Sequence, residues 1–126
     1  MTRGIHHVSM KTCNAAEYVA VRKFYAELLN LRIVKECDAC TLLDAGGGIV
    51  EIFRNGTERE PQGVIRHFAL DVDDVDAYIE LVRHAGYPII VEPKNVQIGG
   101  DPAFPARIGF CRGPLGEEIE FFCQKW

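Results

Sequence analysis

The sequence is an internal repeat in which each copy has a strand, a helix and then three further strands. The copies span about residues 4–54 and 64–123, and a polar segment that begins with Asn55 and Gly56 joins them. A repeated order of elements indicates duplicated modules that share one architecture. With 126 residues in all, we expect a single α+β domain, residues 1–126, built from two βαβββ modules.

The last strand of each copy carries a glutamate between large apolar residues. Glu51 lies in GGGIVEIF, and Glu120 lies in GPLGEEIEFF. Because successive side chains of a strand point to opposite faces, each carboxylate points away from its apolar neighbours. His7 in IHHVSM and His67 in IRHFAL occupy equivalent places in the first strands, on the less apolar face. A buried carboxylate is costly unless it is paired or bound to a cation.

Two imidazoles and two carboxylates at repeat-equivalent positions predict a shared metal-binding cavity. The candidate ligands are His7, Glu51, His67 and Glu120. This donor set suits a divalent ion, with Zn, Ni, Co, Mn and Fe as candidates. The alternative is that each residue is an ordinary polar group at a strand end or on a solvated sheet face. For any one residue that alternative is better, whereas the equivalence of all four favours the metal. His6 shares the face of Val8 and Met10, so we assign it to the strand edge.

Capping residues define the ends of both predicted helices. Asn14 precedes the first helix, and Asn30 ends it in the left-handed conformation. The residues expected on its buried face are Val19, Phe24, Leu28 and Leu31. Asp73 or Asp74 caps the second helix, and Gly86 ends it.

A segment rich in proline and glycine, about Glu92–Ala106, precedes the last two strands. Its composition predicts a long loop. Loops of that length are usually functional or disordered. We therefore expect either a lid that closes over the substrate or a disordered crossover.

Composition and charge exclude several kinds of partner. The net charge is −4 and the pI is about 5.5, with no basic stripe that would neutralise phosphates. No apolar run approaches the roughly 20 residues of a membrane span. The first residues, MTRGIHHVSM, lack the apolar core of a signal peptide. We therefore expect a cytoplasmic protein that binds a small molecule and neither nucleic acid nor membrane.

The five cysteines form no regular disulfide framework, so we expect free thiols. Cys37 and Cys40 make a single C-x-x-C between two predicted strands, not between a strand and a helix. This placement argues against a thioredoxin-like role and favours a pair in a hairpin turn. Cys111 and Cys123 are expected to pack as small apolar residues.

The motifs and their order resemble the vicinal oxygen chelate superfamily, which contains glyoxalase I, bleomycin-resistance proteins and ring-cleaving dioxygenases. The matching segments span nearly the whole chain and are IHHVSM, FYAELLNL, GIVEIF, IRHFALDVDD and GPLGEEIEFF. The resemblance implies that the two βαβββ modules form curved mixed sheets around a metal ion. Carried over from glyoxalase I, the metal ligands would be His7, Glu51, His67 and Glu120.

Four ligands of this type are most similar to those of glyoxalase I. The resemblance implies a metal-dependent lyase or isomerase of the lactoylglutathione lyase type. It would transfer a proton through an enediolate of a small oxygen-chelating substrate, such as a hemithioacetal. Glu120 would be the catalytic base, with Glu51 as the catalytic residue on the other side. The alternatives are a dioxygenase or an epimerase of the same superfamily, or a protein that binds a small molecule such as an antibiotic without chemistry.

Three further residues are candidates for substrate binding. Asn55 matches a glutathione-contacting asparagine of small bacterial glyoxalases, and a turn before Gly56 explains it equally well. Lys11 stands where those enzymes have an arginine, and it is a poorer bidentate partner for a carboxylate. Arg107 either supplies a positive charge to the substrate or is a surface residue. The resemblance also implies a homodimer, with the metal site completed within one chain or across the dimer.

Overall fold

A computed structural model describes residues 1–59, 61–100 and 103–125 of the chain. The chain divides into two compact units, Met1–Gln62 and Gly63–Trp126, each with one sheet. Within the described residues, no helix is both long enough and apolar enough to cross a lipid bilayer.

The first unit has a four-stranded mixed sheet with one helix against it. Its strands are β1 (His7–Lys11), β2 (Arg32–Glu36), β3 (Cys40–Asp44) and β4 (Ile49–Phe53), in the sheet order β1-β4-β3-β2. β1 pairs parallel with β4, and the other pairs are antiparallel. Helix α1 (Ala15–Arg22) continues as a π-helical segment, Lys23–Leu28. Buried side chains of the helix and of one sheet face form the core of this unit, including Tyr18, Val21, Phe24, Leu43, Val50 and Ile52.

The second unit has the same arrangement of elements. Its elements are β5 (Phe68–Asp71), α2 (Val75–His84), β6 (Ile89–Ile98), β7 (Phe104–Arg112) and β8 (Glu118–Gln124), with the sheet order β5-β8-β7-β6. β5 pairs parallel with β8, as β1 does with β4. Its buried core includes Val75, Ile79, Val82, Cys111, Ile119 and Phe121. The predicted α+β fold of two βαβββ modules is confirmed.

Side-chain caps start both helices as the sequence predicts. The Asn14 side chain accepts a hydrogen bond of 2.8 Å from the backbone N–H of Glu17. Asp74, not Asp73, caps α2 in the same way, at 3.0 Å from the N–H of Ala77. Asn30, beyond the π-helical segment, has a φ of 59° and so lies in the left-handed region expected of it.

The predicted buried face of the first helix is partly wrong. Phe24 is buried as expected, whereas Val19 is 56% exposed. Tyr18 takes the buried position instead, one residue earlier and therefore about 100° around the helix. The π-helical turn then changes the spacing, because the N–H of Leu29 donates to the carbonyl of Phe24 five residues before it. A constant spacing of 3.6 residues does not describe such a segment.

The segment expected to be a long loop, Glu92–Ala106, is mostly a hairpin, so this prediction is wrong. β6 extends to Ile98, and β7 begins at Phe104. Of the residues between these strands, 101–102 lie outside the described residues. The prolines indicate a loop when the sequence is considered alone. However, β6 is an edge strand, and Pro93 lies at a shift in its register. Edge strands and bulges are where a sheet tolerates proline.

Candidate metal-binding site

In the first unit, a histidine and a glutamate meet on the sheet face opposite the helix. β1 and β4 run parallel, with Ser9 directly beside Glu51. His7 lies two residues before Ser9 and therefore on the same face. Because the Ser9 side chain is small, the imidazole can reach past it, and His7 Nε2 lies 3.7 Å from Glu51 Oε1.

The second unit repeats this arrangement at the same register. Ala69 of β5 lies directly beside Glu120 of β8, again two residues after the histidine. His67 Nε2 lies 3.2 Å from Glu120 Oε1. A histidine, a small residue and a glutamate thus occupy matching positions in the two units. The register supports the equivalence of the two pairs that the sequence predicts.

The glutamates of both pairs are more shielded from water than the histidines. The exposed side-chain fractions are 18% for Glu51 and 12% for Glu120, against 44% for His7 and 39% for His67. Burial raises the pKa of Glu120, and the neighbouring His67 opposes that rise. A carboxylate in such surroundings gains from a bound cation, which would favour its charged form.

Ring contacts orient both imidazoles. His6 Nδ1 and His7 Nδ1 are 3.0 Å apart, so one ring can donate its N–H to the other while Nε2 of His7 faces Glu51. The ring of His67 stands nearly perpendicular to that of Phe110, at a centroid distance of 5.0 Å. Such neighbours fix the orientation of a metal ligand. Sequence reasoning assigned His6 only to the strand edge, although the His-His doublet is a sign of this contact.

Both pairs have the donor atoms and the spacing that a divalent cation needs. Two ligand atoms at about 2.1 Å from one ion are about 3.0 Å apart at a right angle and about 3.4 Å apart in a tetrahedron. The observed separations of 3.7 and 3.2 Å are close to these values. Each pair therefore fits as two neighbouring ligands. Within the described part of either unit, no third His, Cys, Asp or Glu joins the pair to complete a metal cluster.

Two of the candidate substrate residues lie at the end of β1 and just after the end of β4. Lys11 is exposed on the Glu51 face of β1, beside Phe53. Asn55 follows β4 and is also exposed. At the next residue, Gly56, an added Cβ would lie 2.6 Å from the carbonyl oxygen of Thr12, so only glycine fits there. The turn accounts for the Asn-Gly sequence, and substrate binding by Asn55 stays a prediction.

The structure does not bring Arg107 to the face that carries Glu120. Glu120 is the cross-strand neighbour of Phe110, and Arg107 is three residues away on β7, hence on the opposite face. Its guanidinium donates hydrogen bonds to Asp76 Oδ1 at 2.8 Å and to Asn95 Oδ1 at 3.0 Å. The hydrogen bond from Arg107 holds the pKa of Asp76 below its usual value. Arg107 therefore connects the sheet to α2, which favours the alternative expectation of a surface residue over a role in substrate binding.

Arg112 is an arginine that does lie on the Glu120 face. It follows Phe110 by two residues and stands beside Glu118 across β7 and β8. Its Nη2 is 3.5 Å from Glu118 Oε1, and its side chain is 43% exposed. Sequence reasoning missed Arg112 because the pairing of β7 with β8 sets which arginine shares the glutamate's face.

The sequence matches the profile of the Glyoxalase/Bleomycin resistance protein/Dioxygenase superfamily over residues 4–121. The chain belongs to this superfamily. The resemblance that the motifs indicate is thereby confirmed. Members of the superfamily are often enzymes and typically use a divalent metal ion. No curated protein matches the chain significantly.

Solved structures of the superfamily share the fold at low sequence identity. A glyoxalase/bleomycin resistance protein/dioxygenase from Alicyclobacillus acidocaldarius is 18% identical, with a TM-score of 0.68, covering 97% of this chain and 92% of that one. The trypanothione-dependent glyoxalase I of Leishmania major is 19% identical, with a TM-score of 0.71, covering 97% of this chain and 87% of that one. An integron cassette protein from V. cholerae is 19% identical, with a TM-score of 0.69, covering 98% and 96%. At these identities the similarity establishes the fold and leaves the reaction open.

Proposed function

We propose that this superfamily member is a metal-dependent lyase or isomerase of the glyoxalase I type. It would move a proton between adjacent carbons of a small oxygen-chelating substrate such as a hemithioacetal. The supporting observation is the histidine–glutamate pair at one register in both units. A site with two histidines and one glutamate, as in the related dioxygenases, would leave Glu51 without a role.

The proposed ligands of one divalent ion are His7, Glu51, His67 and Glu120. Zn, Ni, Co, Mn and Fe all accept imidazole and carboxylate donors. When bound, the ion would polarise two neighbouring substrate oxygens and stabilise the negative charge that develops on them. His6 and Phe110 would keep the imidazoles in place, through the contacts described above.

Glu120 is the proposed base that takes a proton from one substrate carbon and returns it to the next. A carboxylate within hydrogen-bond reach of the substrate carbons can accept the proton and then return it. Glu51, the equivalent residue of the other unit, is proposed to flank the substrate on its second side.

Substrate binding is assigned to the cationic and polar residues on or near the same sheet faces. Arg112 is proposed to bind a carboxylate of the substrate, since a guanidinium can bind such a group in a bidentate manner. Lys11 and Asn55 are further candidates in the first unit. We also propose that the protein is cytoplasmic and homodimeric, and sedimentation at several concentrations tests the dimer.

The reaction is tested by reconstituting metal-free protein with each candidate ion and assaying a panel of hemithioacetals, epimerisable thioesters and catechols. We expect turnover of a hemithioacetal, metal content measured by elemental analysis, and no oxygen consumption. Oxygen uptake with a catechol, or epimerisation of a thioester alone, would reject the proposed reaction. Tight binding of a small molecule without any turnover would identify a binding protein instead.

The role of Glu120 is tested by Glu120→Gln. The amide cannot accept the substrate proton but retains an oxygen ligand, so we expect turnover to fall by at least about a thousandfold while most of the metal remains bound. Glu92→Gln is the matched control, because Glu92 is exposed and pairs with Arg83. Full activity in Glu120→Gln would show that another group moves the proton.

A further inference from the structure

Cys37 and Cys40 flank a tight turn that joins β2 to β3. The backbone N–H of Cys37 donates to the carbonyl of Cys40 at 2.9 Å, and Glu36 and Thr41 form the next cross-strand pair. The predicted hairpin-turn pair is therefore confirmed. The N–H of Arg54 donates to the carbonyl of Ala39 at 2.9 Å and ties the turn to the end of β4.

The turn brings the two sulfur atoms together as free thiols. Cys37 Sγ and Cys40 Sγ are 3.1 Å apart. A disulfide bond is about 2.05 Å long, so the atoms have to approach by only about 1 Å to form one. The turn already provides the cross-strand geometry, and rotation of the side chains can supply the remaining movement.

The two thiols differ in their access to solvent. Cys37 is exposed, whereas Cys40 is buried at 8% exposure. The hydrogen bond from Cys40, followed by those from the backbone N–H groups of Ala39 and Cys40, lowers the pKa of Cys37. An exposed thiol whose thiolate is favoured is the one that reacts with a dissolved disulfide. A buried thiol beside it is placed to resolve the product.

Two of the remaining cysteines, Cys13 and Cys111, are poor candidates for this reaction. A hydrogen bond to Glu17, and then burial, raises the pKa of Cys13. Burial raises the pKa of Cys111 to about 12. Both effects disfavour the thiolate that attacks a disulfide. Reactivity toward small disulfides should therefore concentrate at the turn.

We infer that Cys37 and Cys40 form a reversible thiol–disulfide exchange site for low-molecular-weight disulfides. In the first step the Cys37 thiolate attacks one sulfur of the small disulfide, forms a mixed disulfide and releases one thiolate. In the second step Cys40 loses its proton to solvent and attacks Cys37 Sγ, which forms the Cys37–Cys40 bond and releases the second small thiolate. The protein loses two electrons, and the small disulfide gains them.

A stabilising crosslink is a poorer explanation of the pair. The constraint that a disulfide places on the unfolded chain grows with the length of the closed loop. Only Asp38 and Ala39 separate these cysteines, so the crosslink would restrict the unfolded chain little. Exposed disulfides are among those that exchange readily, and Cys37 is exposed.

Glutathione and glutathione disulfide are suitable probes. The reduced full-length protein is equilibrated at a series of ratios, quenched with acid and labelled with N-ethylmaleimide. Tryptic digestion places both cysteines in one peptide, residues 36–54, and the other three cysteines in separate peptides. We expect that peptide to lose two hydrogens and escape labelling while Cys13, Cys111 and Cys123 remain labelled. Full labelling of Cys37 and Cys40 at every ratio, or oxidation no greater than that of Cys13, would overturn the inference.

Two variants separate the attacking thiol from the resolving thiol. In Cys40→Ser we expect the mixed disulfide of glutathione with Cys37 to accumulate, at a rate about tenfold above that of Cys13. In Cys37→Ser we expect little adduct on the buried Cys40. Equal adduct formation in both variants would contradict the assigned order. The wild-type titration needs neither variant, and neither assay depends on bound metal or turnover.

Discussion

At the scale of single residues, Glu120 is an ionisable side chain that is largely shielded from water. Burial raises its pKa above the ordinary value of 4.5, so the folded protein holds the proton more firmly than the unfolded chain. In the metal-free protein, the contribution of Glu120 to stability therefore falls as pH rises through the window between the ordinary and the raised pKa. Glu120→Gln removes this titration. We expect the variant to gain stability relative to wild type across that window and to show no such gain below it.

Urea unfolding in the presence of a chelator, from about pH 4 to about pH 8, measures this difference. Glu92→Gln is the control, and its stability relative to wild type should change with pH in the opposite direction. The hydrogen bond from Arg83 lowers the pKa of Glu92, so its stabilising contribution is present above the ordinary pKa and is lost as pH falls. A difference between wild type and Glu120→Gln that is constant with pH would contradict the prediction.

Replacing each of the two arginines of β7 by glutamine should affect different properties: substrate binding for one and stability for the other. Arg112 lies on the Glu120 face, so Arg112→Gln should raise KM for an anionic substrate about tenfold and change kcat little. Arg107 pairs with Asp76 of α2, so Arg107→Gln should lower the free energy of unfolding slightly and leave KM unchanged. Steady-state kinetics and urea unfolding distinguish the two. A raised KM in Arg107→Gln alone would reverse the assignment.

These arginines also show where prediction from the sequence ends. Alternation within a single strand places Glu51 and Glu120 on the less apolar faces, because that argument needs only the strand's own residues. Arg107 and Arg112 both lie in a strand that was predicted. Which of them shares the face of Glu120 depends on how β7 pairs with β8, and that register comes from contacts between strands.

At the scale of elements, Gly109 sets how closely α2 packs against β7. An added Cβ would lie 2.8 Å from Ile79 Cγ1 and 3.3 Å from Val75 Cγ1. Overpacking of a core contact typically costs about 1–3 kcal/mol. We therefore expect Gly109→Ala to lower the free energy of unfolding by about that amount in urea denaturation. Gly99→Ala is the control, since nothing lies within 4 Å of its added Cβ. Equal stability of the two variants would show that the helix can move away.

Elements were predictable where local chemistry defines them. Asn14 and Asp74 cap their helices through side-chain bonds to residues three positions on, which a sequence pattern captures. The π-helical turn after Arg22 and the extent of β6 were not predicted. The first depends on packing that inserts an extra residue into a turn, and the second on an edge position that tolerates Pro93.

At the scale of the whole molecule, duplication is what made the candidate site predictable. A lone histidine or glutamate on a sheet is an ordinary polar residue. The same His–small–Glu register in both units, through Ser9 and Ala69, gives each pair an independent counterpart. If the two pairs serve one function, both units are expected to keep a histidine and a glutamate at this register.

If both pairs bind one ion, the chain should take up one equivalent of metal and lose it when either pair is removed. We expect calorimetric titration of chelator-stripped protein with Zn²⁺ or Ni²⁺ to give one ion per chain. The double variants His7→Ala/Glu51→Ala and His67→Ala/Glu120→Ala should each weaken binding by at least about a hundredfold, because two ligands hold such an ion far less tightly than four. Glu80→Ala with Glu92→Ala, two exposed carboxylates that pair with Arg83, should leave binding unchanged. Two equivalents in the wild type, with one surviving in each ligand variant, would mean that each unit binds its own ion.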